Sequence, residues 1–288
     1  MKHALRTVTA ALFTLVYSVF AQPATPGAPA SAVPAAKPAA AAATAPADTL
    51  RIISDFNSAP FAYRDGIKKT GVDVDLAEAL AKEMGKKVEW VPMSFDISAY
   101  ASALDRGNAD AAIASISITD ERAKILSFTK PYARMGLALA VRSDIDWRHS
   151  WFTTGLKDWR IGVLRGTTAE KWAKKNLDGR VEYYSSLDRM IQVLKNSPMP
   201  TESGKGGTCI LYDEVPLRWT LSKYSYRYEI VETGIEIQRY GIAVRKGNTV
   251  LLDAINSAIS RLKESKEAGA IREKWRSRAQ GLDFFKED

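Results

Sequence analysis

The sequence predicts an α/β protein built as two lobes. Two observations carry this. Short β-rich runs alternate with helically spaced apolar residues from Leu50 onward, and the same rhythm starts afresh at Arg160. A third is length: the chain beyond residue 48 is long enough for one large core or two small ones.

The elements follow in order. Lys2, His3 and Arg6 precede an apolar run from Val8 to Phe20 that closes on Val19-Phe20-Ala21, the pattern of a secretory signal cleaved after Ala21. The run is shorter than a spanning helix needs and no cysteine follows it to accept a lipid, so residues 1–21 predict export of a soluble protein to the periplasm. Residues 22–48 are mostly Ala and Pro with one Lys37, a composition with no material for a core, and read as a semi-extended linker.

The first lobe, 49–141, opens with a strand at Leu50-Arg-Ile-Ile53. A helix over Val74–Met84 follows, with Leu76, Leu80 and Met84 spaced by four, then a strand at Val88-Glu-Trp-Val91. A helix near Ile97–Leu104 and a buried-type strand at Ala111–Ala114 come next, and the apolar segment Leu137–Val141 carries the chain out. The second lobe, 142–240, repeats the pattern with a strand at Arg160–Leu164, a helix from Thr168, a strand at Val181–Tyr184 and a helix at Leu187–Leu194. The Pro-, Ser- and Gly-rich loop Asn196–Gly207 and the strand Thr208–Tyr212 complete it. A return strand, Tyr240–Arg245, leads back to residues 241–288 of the first lobe, which end in helices at Leu251–Leu262 and Ala268–Arg278.

A formal charge of +8 invites a nucleic-acid reading, but the Lys and Arg residues are interspersed with acids, as in Arg261-Leu-Lys-Glu-Ser-Lys-Glu267, and no aromatics interleave with them to stack bases. The charge reads as a solvated face and no nucleic-acid partner is expected. The lone Cys209 has no internal partner for a disulfide and reads as a small buried apolar residue.

Chemistry concentrates in Ala114-Ser-Ile-Ser-Ile-Thr-Asp-Glu-Arg122. Ser115 and Ser117 stand two apart after a strand, so extended geometry would point both hydroxyls one way. Arg122 offers the planar donor fork that matches a carboxylate. Thr119, before Asp120 and Glu121, suits a helix N-cap better than a ligand contact. Gly166-Thr-Thr168 lies between a strand and a helix, where free N–H groups favour an anion. Thr167-x-x-Glu170 is equally a capping box, so which of Thr167 and Thr168 faces the ligand stays open.

Together with Ala59-Pro-Phe61, Gly71-Val-Asp-Val-Asp-Leu76, Pro131-Tyr132, Tyr212-Asp-Glu214 and Trp275, these segments resemble in order and spacing the periplasmic solute-binding proteins of polar-amino-acid ABC transporters, bacterial extracellular family 3. The resemblance spans Leu50 to Arg278. It implies a type II periplasmic-binding fold, with a ligand cleft between lobes joined by two crossing segments at Leu137–Arg142 and Tyr240–Arg245. It implies that Arg122, Ser115 and Ser117 grip an α-carboxylate, that Thr168 and Thr167 add the second lobe's share, and that Asp213 meets the α-ammonium. Asp55 and Phe95 would contact the side chain. Ser58 departs from the aromatic that relatives often carry there, and Phe56 is the nearby residue expected to substitute. Arg165 suits an acidic ligand side chain and Asp55 a cationic or amide one, so the amino acid stays unnamed.

The resemblance further implies a monomer that uses no cofactor or metal, closes on its ligand and docks on a membrane permease. Two other readings share the fold: a cyclohexadienyl dehydratase-like enzyme, suggested by Trp219 and Val88–Pro92 but short of a glutamate where Pro216 stands and Glu214 is displaced, and a ligand-sensing accessory module.

Overall fold

Strand pairing divides the chain into two large sheets and a small hairpin sheet. The computed structural model describes residues 48–144, 156–177, 179–197, 206–224, 228–279 and 282–285. The expected signal, the linker up to residue 47 and the centre of the Asn196–Gly207 loop lie outside the described residues. In chain order come β1 (Thr49–Ser54), β2 (Asn57–Ser58), β3 (Ala62–Asp65), β4 (Lys68–Thr70), α1 (Val72–Glu83), β5 (Lys87–Pro92), α2 (Ile97–Asp105), β6 (Ala111–Ala112), the single turn α3 (Asp120–Ala123) and β7 (Leu126–Phe128). Next are β8 (Ala133–Arg142), β9 (Arg160–Leu164), α4 (Thr168–Asn176), β10 (Arg180–Tyr184), α5 (Leu187–Lys195), β11 (Thr208–Asp213), α6 (Glu214–Leu221) and β12 (Tyr228–Tyr240). β13 (Ala243–Arg245), α7 (Thr249–Lys263), α8 (Lys266–Arg276) and β14 (Asp283–Phe284) follow.

The first sheet runs β5-β1-β6-β13-β7 and the second β10-β9-β11-β8-β12. Each begins with three parallel strands and continues with an antiparallel strand taken out of sequence order: β13, which follows the whole second lobe, and β8, which precedes it. This exchange joins the lobes by two crossings. α1, α7 and α8 bury Leu76, Leu80, Ile255, Ile259 and Trp275 on one side of the first sheet, and α2 buries Tyr100 and Leu104 on the other. α4 packs Ala169 and Ala173 on one side of the second sheet, and α5 and α6 pack Met190, Leu194 and Leu217 on the other. Cys209 belongs to this second core, where burial pushes its thiol up to about 12.

Two expected strands differ in the structure. Leu137–Val141, read as an exit from the first lobe, lies inside β8, which pairs wholly within the second sheet. The return strand Tyr240–Arg245 is two strands: β12 ends at Tyr240 in the second sheet, and β13 begins at Ala243 in the first. The break falls at Gly241, where a Cβ would come within 2.9 Å of the Ile118 side chain. β12 escaped sequence reading because three register shifts interrupt its alternation. β14 also pairs with β8, so residues 283–284 join the second sheet rather than the first.

The Gly71–Leu76 segment acts through backbone and carboxylates. Gly71 has φ 139°, and a Cβ there would lie 1.8 Å from the Phe61 carbonyl oxygen, which only glycine avoids. Asp75 anchors the C-terminal helix, accepting from Lys274 Nζ at 2.6 Å and Trp275 Nε1 at 2.7 Å. Trp275 also packs edge-on against Tyr63, with ring centroids 6.5 Å apart. Trp275→Ala is expected to cost about 3 kcal/mol, read as a lower urea midpoint; an unchanged midpoint would remove this anchor from the account.

Candidate functional site

A cleft of about 440 Å³ is lined from both lobes, by Asp55, Phe95, Ser115, Ser117 and Arg122 on one side and Arg165, Thr167, Thr168 and Asp213 on the other. The structure thus brings together the nine residues that the resemblance assigned to ligand binding, although their local geometry differs in several cases.

Arg122 closes the single turn α3, whose N-cap is Thr119: the Thr119 hydroxyl oxygen accepts from the Arg122 N–H at 3.2 Å. Arg122 is only 6 % exposed. It donates from Nη1 to the Ser117 carbonyl at 2.9 Å and from Nη2 across the cleft to the Gly166 carbonyl at 3.2 Å. It also lies 5.7 Å from the centre of the Phe95 ring. Burial pulls its pKa down, opposed by Asp213 and Tyr240, and a guanidinium stays charged in any case. Two neutral carbonyls solvate that charge without neutralising it.

Ser115 is not extended. Its φ is 49°, its N–H donates to Asp73 Oδ2 at 2.9 Å, and its hydroxyl is buried without a hydrogen-bond partner. The expectation that Ser115 and Ser117 point one way from a regular strand fails at this left-handed residue. Asp73, completely buried, also accepts from the Tyr132 hydroxyl at 2.8 Å, and burial pushes its carboxyl up to about 7. Ser117 bridges to Tyr240 in antiparallel fashion, and its hydroxyl donates to Gln238 Oε1.

On the second lobe the two threonines line the cleft but bond differently. Thr167 is the N-cap of α4: its oxygen accepts from the Glu170 N–H at 3.3 Å and its hydroxyl donates to the Leu164 carbonyl at 2.7 Å. Glu170 takes the Gly166 N–H at 2.6 Å, so this amide, expected to be free for an anion, is already used. Thr168 reaches inward, donating to Gln238 Oε1 at 2.7 Å. Asp213 stands at the N-cap position of α6 but makes no side-chain cap there; its Oδ1 instead accepts from Gln238 Nε2 at 3.4 Å. Burial pushes its carboxyl up to about 6, with Tyr240, Arg122 and Gln238 pulling it back.

Asp55 lines the first-lobe wall, where burial pushes its carboxyl up to about 6 despite the Asn57 N–H at 3.4 Å. Arg165 is exposed at the rim, its guanidinium 4.5 Å over the Tyr183 ring. Phe56 does not substitute for the aromatic missing at Ser58: at φ 52° it turns away to pack on Trp90, ring centroids 5.3 Å apart. The cleft draws aromatic surface instead from Tyr184 and Tyr212, which sequence reading did not single out as contacts. It also passed over Gln238. The available signal was parity with Tyr240, since residues two apart on a strand share a face.

The raised Asp213 pKa has a stability consequence with a definite sign. The folded chain holds this proton where the unfolded chain has released it, so the associated stability is full below about pH 4 and lost as pH rises through about 6. Asp213→Asn is therefore expected to stabilise the free protein by about 3 kcal/mol at pH 8 and little at pH 4, measured by urea unfolding at both pH values; equal effects at both would refute the burial argument.

The family model of bacterial extracellular solute-binding proteins, family 3, matches residues 50–278. The L-cystine-binding protein TcyJ of Escherichia coli is 29% identical over 218 residues, 75% of this chain and 78% of that protein. Among solved structures, an ancestral arginine-binding protein bound to arginine superposes with a TM-score of 0.69 at 34% identity, over 79% of this chain and 98% of that one. An ancestral amino acid-binding protein described as a precursor of cyclohexadienyl dehydratase gives 0.67 at 30% identity, over 79% and 95%. With two exchanged-strand lobes, a cleft between them and a match across nearly all of the described fold, this chain belongs to the bacterial extracellular solute-binding proteins, family 3.

Proposed function

We propose that this protein, exported to the periplasm behind a cleaved signal at residues 1–21, binds a polar amino acid or similar small zwitterion as a monomer and delivers it to an ABC transporter permease. The observation that carries this reading is the charge layout of the cleft. A buried guanidinium, Arg122, stands on one lobe and a half-buried carboxyl, Asp213, on the other, which complements an α-carboxylate and an α-ammonium held together. Asp55 sits in the cleft wall while Arg165 stacks on Tyr183 at the exposed rim, which favours a cationic or amide side chain over an acidic one. The arginine-bound neighbour supports the same class.

A catalytic role is not favoured. Glu214 pairs with Arg218 at 2.8 Å one turn along α6 and lies outside the cleft lining, and Trp219 packs on Tyr63 with ring centroids 5.9 Å apart. No turnover of prephenate or arogenate is expected.

Calorimetric titration of the ligand-stripped protein with the common amino acids is expected to show binding at micromolar affinity or tighter, about 8 kcal/mol, for one chemical class, and loss of that binding in Arg122→Ala. Silence across the panel would overturn the amino-acid reading. For a cationic amino acid, affinity is expected to fall below about pH 6, by up to about tenfold per pH unit for each carboxyl, because Asp55 and Asp213 take up protons there. A flat profile between pH 5 and 7 would mean that neither carboxyl meets a cation.

A further inference from the structure

Gln238 is buried on β12 and lies outside the lining of the cleft, yet three cleft groups converge on its side chain. The Ser117 hydroxyl of the first lobe donates to its Oε1, the Thr168 hydroxyl of the second donates to the same oxygen at 2.7 Å, and its Nε2 donates to Asp213 Oδ1 at 3.4 Å. The backbone holds it there: Gly241 N–H donates to the Ile116 carbonyl at 3.0 Å and Ile118 N–H to the Arg239 carbonyl at 2.8 Å, so the serine segment and the end of β12 run as one bonded pair.

The chemistry of an amide makes this arrangement directional. An amide oxygen carries no proton, so both hydroxyls must spend their single hydrogen on Gln238. The opposite amide orientation would set Oε1 against the Asp213 carboxylate, and that repulsion selects the orientation seen. Each hydroxyl then has only lone pairs left for the cleft. The Ser117 and Thr168 hydroxyls cannot donate to a carboxylate in this state. With Asp213 they form three acceptors, while Arg122 and the unpartnered Ser115 hydroxyl are the donors.

We propose that Gln238 is a positioning residue that sets the polarity of the Ser117 and Thr168 hydroxyls, making them, together with Asp213, an acceptor cluster for the ligand's ammonium. The proposal rests on the amino-acid reading above and deepens it. Because the cluster draws on both lobes through one side chain on a crossing strand, it also links ammonium recognition to closure.

The test uses Gln238→Leu, which keeps side-chain bulk and removes both amide atoms. The amino acid that binds the wild-type protein most tightly, from the common twenty and L-cystine, is titrated alongside two analogues: its des-amino acid, which lacks the ammonium, and its α-carboxamide, which keeps the ammonium and loses the carboxylate charge. The expected result is a loss of roughly tenfold for the amino acid and the α-carboxamide and no change for the des-amino acid. An equal loss on all three ligands, or no loss, overturns the proposal and leaves Gln238 as a strut, with the amino-acid reading intact. If no amino acid binds the wild-type protein, that reading falls and takes this one with it. Should Gln238→Leu fail to fold, Thr168→Val, which leaves Gln238 and the strand in place, carries the same three-ligand comparison with the same expected pattern.

Discussion

A positive charge in a cleft wall organises this molecule. Arg122 is held by two carbonyls on opposite lobes, Ser117 and Gly166, and the second of those bonds can form only when the lobes approach. Leaving such a charge without a full counter-charge is costly, of the order of several kcal/mol for a buried ion. Asp213 supplies part of the opposing field, but its own burial raises its pKa. On the proposed reading a ligand brings a carboxylate to Arg122 and an ammonium to Asp213, and a zwitterion is then the species that stabilises the closed pair of lobes most. The exposed Glu121–Lys171 pair also spans the lobes, but at that exposure it contributes little by comparison.

The serine segment that faces Arg122 is held from below rather than by regular pairing. Ser115 adopts a left-handed φ that costs a non-glycine residue about 1 kcal/mol, offset by the Asp73 carboxyl, which also fixes Tyr132 on the first crossing. On the second crossing, Tyr240 and Gln238 reach the same region from β12. The two crossings and the site wall thus form one hydrogen-bonded unit, which is the physical link between what occupies the cleft and how the lobes sit.

Much of the fold was legible because it is local. The helices at Val72–Glu83, Ile97–Asp105, Leu187–Lys195 and Thr249–Lys263 follow apolar spacing and capping residues such as Asp96 and Ser186, whose effect needs no distant partner. Leu137–Val141 reads in sequence as an apolar exit from the first lobe, whereas β8 pairs within the second sheet, and of β12 the sequence shows only its end at Tyr240. Which sheet a strand joins is a long-range decision, and the bulges of β12 erase its period. At the site, Arg122, Thr168 and Asp213 could be named from motif order, whereas Gln238 could not, since a glutamine on a strand announces no partner until the strand is placed.

By itself the sequence determined the repeated α/β rhythm, the Thr119 cap and the donor-rich run that ends in Arg122, because each depends on residues within a turn or two of one another. Only the tertiary structure decided which threonine caps and which faces inward, that Ser115 is left-handed, and that the protons of Ser117 and Thr168 point to a common acceptor. These follow from groups far apart in sequence competing for the same buried hydrogen bonds, and that competition is settled in space rather than along the chain.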